Sequence, residues 1–374
     1  MRTVAKVGLL CALALSSAMG CSSGKVTESD NAGGADGAGG TSSAVGPLEL
    51  TIGPDSRTFV ELATPSEVTA KGNGESSIAW DIAFQGRDVF INGGISGPGN
   101  SKAFGPLSAP TYLSDTAPEV PLMLQDRAGG ALLDWYDYVG TTHQLYSRYH
   151  VYGLRDGERL YKLQILGYYG ELQGAPVSAL YRVRYAEVLE DGLGEVHDVS
   201  GIDAIAGGSK DDDSVPSSCL TLDTEEISSL TPAEAAESDA WELCFRREAV
   251  AVNGGLSGPR GMEAVDLQAE LTADETEAEL KTRTAASQKS LFDDADFAAL
   301  SDPGLVYRPD GVVTAFAQRW LEPGSDPLAL SDSVWLVIGA DGASQYLMRL
   351  SDLSGDPAVG PATLRFEAKS VREP

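Results

Sequence analysis

Few side chains in this sequence offer chemistry. They are three histidines (His143, His150 and His197), four cysteines, and two serines, Ser96 and Ser257, set in glycine-rich loops. The serines fail the test for a nucleophile elbow. Gly94-Ile95-Ser96-Gly97-Pro98 and Gly255-Leu256-Ser257-Gly258-Pro259 both place proline where the G-x-S-x-G turn needs its last glycine, and no acid–base partner pairs with either. The same loops lack the Lys-Ser/Thr pair of a phosphate loop and read as turns. Cysteines and histidines form no zinc-type cluster. The acidic runs Asp211–Asp213, Glu225-Glu226 and Asp293-Asp294 lack the spacing of a calcium loop and read as solvated faces. No enzyme and no metal site beyond a histidine ligand is expected.

A repeat identifies the elements that must position these residues. Trp80 to Pro98, W-D-I-A-F-Q-G-R-D-V-F-I-N-G-G-I-S-G-P, returns without a gap at Trp241 to Pro259, an offset of 161. Trp80, Phe84, Asn92, Gly93, Gly94, Ser96, Gly97 and Pro98 each have an identical counterpart, so the chain carries one module twice. Trp80, Ile82 and Phe84 alternate with Asp81 and Ala83 as in a half-buried strand, and Asn92-Gly93-Gly94 supplies residues that tolerate positive φ. Further strands are expected at Thr58–Leu62 and Tyr181–Val188. A hairpin is expected from Tyr149 to Leu166 around an Asp156-Gly157 turn, which would place His150 opposite Leu163. A second hairpin, around Asp341-Gly342, follows at an offset of 185 and makes Trp335 the counterpart of His150. The change of offset requires an insertion, which falls at Leu267–Leu300 and reads as one or two acidic surface helices.

The fold class expected is therefore mainly β, two tandem antiparallel β-sheet domains with a short helical insertion in the second. The boundaries read as a lipoprotein signal peptide over 1–20 and a flexible Gly/Ala/Ser tether over 21–47. A first domain follows over 48–190, an acidic Gly-rich linker over 191–217, and a second domain over 218–371. Arg2 and Lys6 precede the short apolar run Val7–Ala14, and Ala18-Met19-Gly20 precedes Cys21. That pattern reads as a secretion signal with a lipidation site at Cys21, because the apolar run is too short to span a membrane. Ser22 follows the cysteine, which points to the outer membrane, surface-exposed or periplasm-facing, with the N-terminal lipid as the anchor. In such an oxidising compartment Cys219 and Cys244 are most simply a disulfide. The net charge of −28, with no basic stripe to offset it, argues against nucleic acid as a partner.

Several features together resemble the HmuY family of bacterial lipoproteins. They are the W-D-I-A-F…N-G-G-I-S-G-P-G stretch, the hairpin Tyr149-His150-Val151-Tyr152…Asp156-Gly157…Tyr161-Lys162-Leu163, and the closing Arg184-Tyr185-Ala186. The resemblance spans about 48–371 and is closer in the first copy. It implies a mainly β, envelope-placed protein and, for the best-known members, haem as cofactor and a haem receptor as partner. Haem ligation needs His or Met donors facing across an apolar slot. His150 reads as a packing position or a ligand, His143 as a loop histidine free to reach a ligand or a surface residue, and His197 as a linker residue. The second copy has no histidine and offers Met262 and Met348. Two functions are thus expected to compete. One is haem capture through the first copy, helped by Trp135, Tyr136, Tyr138, Tyr146 and Tyr149. The other is a surface scaffold or adhesion lipoprotein that keeps the fold alone.

Overall fold

The repeated stretch folds the same way twice, and side chains that serve the backbone are the reason. In a computed structural model, residues 47–372 are described apart from 71–73, 75, 140–141, 207–213 and 273. The signal segment, Cys21 and the tether up to residue 46 lie outside the described residues. Asn92 is fully buried, and its amide nitrogen donates to the carbonyls of Ser77 (2.9 Å) and Trp80 (2.7 Å) while its oxygen accepts from the amide of Gly99 (2.9 Å). Asn253 repeats the clamp on Ser238 (2.9 Å), Trp241 (2.8 Å) and Arg260 (3.1 Å). Gly94 and Gly255 turn the chain at φ 63° and 62°. A Cβ at Gly97 would meet the Asn92 oxygen at 2.2 Å, so the clamp requires the glycine as well.

The first copy supplies β1 (Leu48–Ile52), β2 (Thr58–Glu61), β3 (Ser66–Val68), β4 (Ile82–Gln85), β5 (Asp88–Ile91), β6 (Lys102–Ser108), β7 (Arg127–Gly129), β8 (Tyr136–Val139), β9 (Gln144–Ser147), β10 (Val151–Asp156), β11 (Arg159–Leu172) and β12 (Ala175–Leu189). After β13 (Gly192–Asp203) come β14 (Ser217–Leu220), β15 (Ile227–Leu230), α1 (Pro232–Glu237), β16 (Leu243–Arg246), β17 (Ala249–Val252) and β18 (Glu263–Asp266). Three short helices follow: α2 (Glu277–Leu280), α3 (Lys289–Asp294) and α4 (Phe297–Leu300). The chain ends with β19 (Gly311–Val313), β20 (Ser333–Ile338), β21 (Gln345–Ser354) and β22 (Ala362–Val371). The architecture is mainly β and antiparallel, with few and short helices.

Neither copy closes a core of its own. The five-stranded sheets run β1-β22-β21-β20-β6 and β13-β12-β11-β10-β18, and each mixes strands from both parts of the chain. β1 pairs with β22 from Leu48↔Phe366 to Ile52↔Ala362, β6 pairs with β20, and β10 pairs with β18. One core joins Ile82, Phe84 and Ile91 of the first copy to Phe316, Trp320, Trp335 and Phe366 of the second. The other joins Trp135, Tyr152, Leu163 and Tyr181 of the first copy to Leu243, Phe245 and Met262 of the second. The described residues accordingly form one unit. The boundaries 48–190 and 218–371 mark copies along the chain, whereas each core draws on both.

Three sequence expectations take a different form. The first half of the expected linker 191–217 is strand β13, hydrogen-bonded along β12 from Leu180↔Asp203 to Leu189↔Gly192. As an edge strand it buries, among its described side chains, Val199 and Ile202 alone, so its composition resembles a linker. The hairpin turn is Gly157-Glu158, with Asp156 paired to Arg159. Only Gly157, the first central residue, has positive φ (59°), as a type II′ turn requires. Tyr152 therefore lies opposite Leu163, and Trp335 opposite Met348, so Trp335 matches Tyr152 instead of His150. Among its described residues the insertion holds three short α-helices. α2 opens with a capping box between Thr276 and Glu279, and α4 with an Asp296 cap.

Candidate functional site

His150 lies just before β10, preceded by Tyr149 at φ 56°, and only 1% of it is exposed. Its Nδ1 is 2.7 Å from a carboxylate oxygen of Asp266, the last residue of β18, and its Nε2 is 3.0 Å from Glu275 in the insertion. Glu275 also accepts from Arg148 at 2.6 Å and from Arg283, whose guanidinium donates to the carbonyl of Arg148 at 2.7 Å as well. Burial pulls the His150 pKa down, but the hydrogen bonds and charges of Asp266 and Glu275 outweigh it and hold the ring above its ordinary value. Burial likewise opposes ionisation of Glu275, yet Arg148, His150 and Arg283 keep it below the usual carboxylate range. Asp134, close by, is pushed up by burial. This is an ionic network that ties the first copy to the insertion of the second.

The other expected donors lie apart. His143 is exposed at φ 54° in the β8–β9 turn, with Nδ1 2.7 Å from the Tyr138 hydroxyl. His197, on β13, stacks on Tyr185 and meets Glu225 at 2.6 Å. Met262 and Met348 are filler in different cores. The aromatic group divides in the same way. Trp135 packs on Tyr136, Tyr168 and Tyr181 in the core, whereas Tyr138 is 53% exposed. The cavity beside Trp135, lined by Leu132, Asp134, Tyr136 and Val250, measures about 20 Å³, room for one water and not for a porphyrin. A larger open hollow of about 560 Å³ is lined by Asp156, Glu237, Asp239, Pro259 and Arg260, with neither histidine nor aromatic residue. These residues do not fit haem. Among the described residues no group of His, Cys, Asp and Glu could hold a metal ion.

Cys219 and Cys244 are joined directly across β14 and β16, with Cα atoms 4.0 Å apart. Sequence reading missed a second pair of polar residues, the buried Asp126 and Asp310. Asp126 accepts from the amides of Ile91 (3.0 Å) and Ala315 (2.8 Å), and Asp310 from Val252 (3.0 Å) and Ala131 (2.9 Å). Each carboxylate thus binds one amide from each copy. Burial raises both, Asp126 to about 6. Their recurrence at an offset of 184 was the available signal.

No known protein family matches the chain, and no curated protein does. Among solved structures, the apo HmuY analog of Tannerella forsythia is 14% identical over 47% of this chain and 84% of that one, with a TM-score of 0.14. No residue role is carried across from it. The tryptophans show instead how the site's surroundings are built. The Trp135 indole donates to the Glu248 carbonyl at 2.8 Å, and the Trp320 indole to the Arg87 carbonyl at 2.9 Å, each reaching from one copy into the other. Among the described residues no helix is long and apolar enough to cross a membrane.

Proposed function

We propose that this is a cell-envelope lipoprotein that displays a HmuY-like β scaffold and does not hold haem iron through histidine. The observation that carries this reading is His150, whose two ring nitrogens are both engaged by carboxylates at 2.7 and 3.0 Å. A ligand nitrogen must offer a free lone pair, and neither is free in this arrangement. The leader pattern ending at Cys21 supports lipid anchoring at the outer membrane, and the Gly/Ala/Ser-rich stretch before residue 47 supports a body held off that surface. The net charge of −28 favours cationic partners over nucleic acid. The role is one of binding or scaffolding, with no catalysis.

A hemin titration of residues 22–374, beside His143→Ala, tests the reading. A weak, non-saturating Soret response that is equal in both proteins is the expected result. A sharp band saturating near one haem per chain, and lost in His143→Ala, would restore haem capture by the first copy. Palmitate labelling in the native host, abolished by Cys21→Ser, tests the anchor.

A further inference from the structure

The insertion between β18 and β19 lies over the outer face of the sheet that carries β10 to β13, and it is fastened where it starts. The amide of Val151 donates to the Gln268 side chain at 2.6 Å, and the amide of Leu267 to the Val151 carbonyl at 3.0 Å. Arg283 reaches the Arg148 carbonyl, and His150 holds both Asp266 and Glu275. We propose that His150 is a proton-sensitive bolt for this insertion: charged, it holds the insertion down, and neutral, it lets it lift.

A neutral imidazole carries one N–H, an imidazolium two. With a carboxylate at hydrogen-bond distance from each ring nitrogen, only the imidazolium satisfies both. The neutral ring leaves one buried carboxylate against a lone pair, which is costly where water is excluded. The groups facing the ring are Asp266 on β18, Glu275 and Arg283 of the insertion, Arg148 on the preceding segment, and Asp134 and Asp137 across from Arg148. Tyr152, on β10, faces the same charges. Asp134 and Asp137 are open to solvent, whereas Glu275 and Asp266 are enclosed at the ring, so losing the ring's charge leaves one enclosed carboxylate without its donor.

The sign follows from linkage. The ring's value in the closed state lies above its ordinary 6.5, so its contribution is complete below that pH and is lost as pH rises through the closed-state value. What the bolt holds is poised to lift. Phe292 and Leu300 pack the insertion down, but Lys162 and Gln164, fully buried beneath it, are groups that water takes up readily. The corresponding strap on the other sheet, around Tyr112 and Ala117, covers Val334, Leu336 and Leu347, and no histidine fastens it. It serves as an internal control.

Hydrogen exchange on residues 22–374 from pH 6 to 9 tests the bolt, as the ratio of opening in peptides from 276–300 to that in peptides from 109–124. The ratio removes the intrinsic pH dependence of exchange. It should rise by up to about tenfold per pH unit between the ordinary and the closed-state histidine values. Asp266→Asn keeps the acceptor for Gln268 and can donate to a neutral ring, so its ratio should stay low to pH 9. His150→Gln should open the insertion at every pH, with a flat ratio. A flat wild-type ratio, or an Asp266→Asn ratio that climbs with the wild type, overturns the proposal; the second comparison decides even if His150→Gln fails to fold.

Discussion

The two halves of the molecule share a frame and differ in what covers it. Each half is a four-stranded sheet facing a five-stranded one, and each is stitched to the other copy by a buried aspartate, Asp126 or Asp310, and by a tryptophan indole, Trp135 or Trp320. These residues recur because they satisfy backbone amides and carbonyls that cannot reach water, a task that tolerates little change. The outer layers carry no such obligation and diverge. One half has an apolar strap; the other has a disulfide and a helical insertion over a face that sets Lys162 and Gln164 among apolar residues. The repeat thus preserves the residues that satisfy buried backbone groups, while the covers over the frame vary.

The shared frame is broken most severely by separating the copies. Each core needs strands from both, so residues 48–206 or 214–372 expressed alone should give no folded monomer. Most of the apolar surface that stabilises either core would be left in water. Mixed, the two fragments should restore the far-UV and near-UV circular dichroism of the whole chain and co-elute as one species. A fragment that is monomeric and cooperatively folded would show that a copy can close on itself.

The disulfide stands where the other half places an aromatic ring. Phe59, opposite Ala83, occupies the place that Cys219, opposite Cys244, holds in the other half, beside Trp80 and Trp241 respectively. The ring of Phe59 fills the space where a Cβ on Gly74 would lie, at 2.6 Å, and the residue matching Gly74 is Ala235. Replacing both cysteines by alanine should cost about 3 kcal/mol in chemical denaturation. Cys219→Phe with Cys244→Ala should do no better until Ala235→Gly is added. The glycine alone should cost about 1 kcal/mol in helix α1, yet here it should improve stability. If Ala235→Gly worsens the double variant, the two outer layers are not built on one plan.

How much of this was legible in the sequence follows the same division. The strands of the repeated stretch and of the two hairpins, the turns at Asn92 and Asn253, the disulfide partners and the mainly β class follow from local alternation and cysteine chemistry, which a single chain displays, whereas edge strand β13 read as a linker. The exchange of strands between copies does not, because β1 pairs with β22 over more than 300 residues and nothing local encodes which copy closes which core. His150 was legible as a buried residue, but its register was read two positions off because the turn began at Gly157. Its partners Asp266 and Glu275 come from the other copy and from the insertion, so no spacing in the sequence pointed to them.

The smallest effect concerns the face beneath the insertion. Lys162 on β11 corresponds to Leu347 on β21, since the bulges after Ile165 and after Leu350 align at the same offset of 185. Lys162 donates to the carbonyl of Phe292 at 2.6 Å and lies over that residue's ring, with Asp293, Asp294 and Asp296 nearby. Burial nevertheless keeps its pKa below the ordinary value, so at neutral pH its charge costs stability in the folded state. Lys162→Leu removes that cost and one hydrogen bond together, and the balance should be a gain of about 1 kcal/mol or less at pH 7. The gain should shrink as pH rises through the folded-state lysine value, where the wild type sheds the charge itself. Urea denaturation of both proteins at pH 7 and pH 9.5 measures the difference. A loss above 2 kcal/mol at pH 7 would mean that the ammonium holds the insertion closed, adding a fastening to the apolar packing on which the other half relies alone.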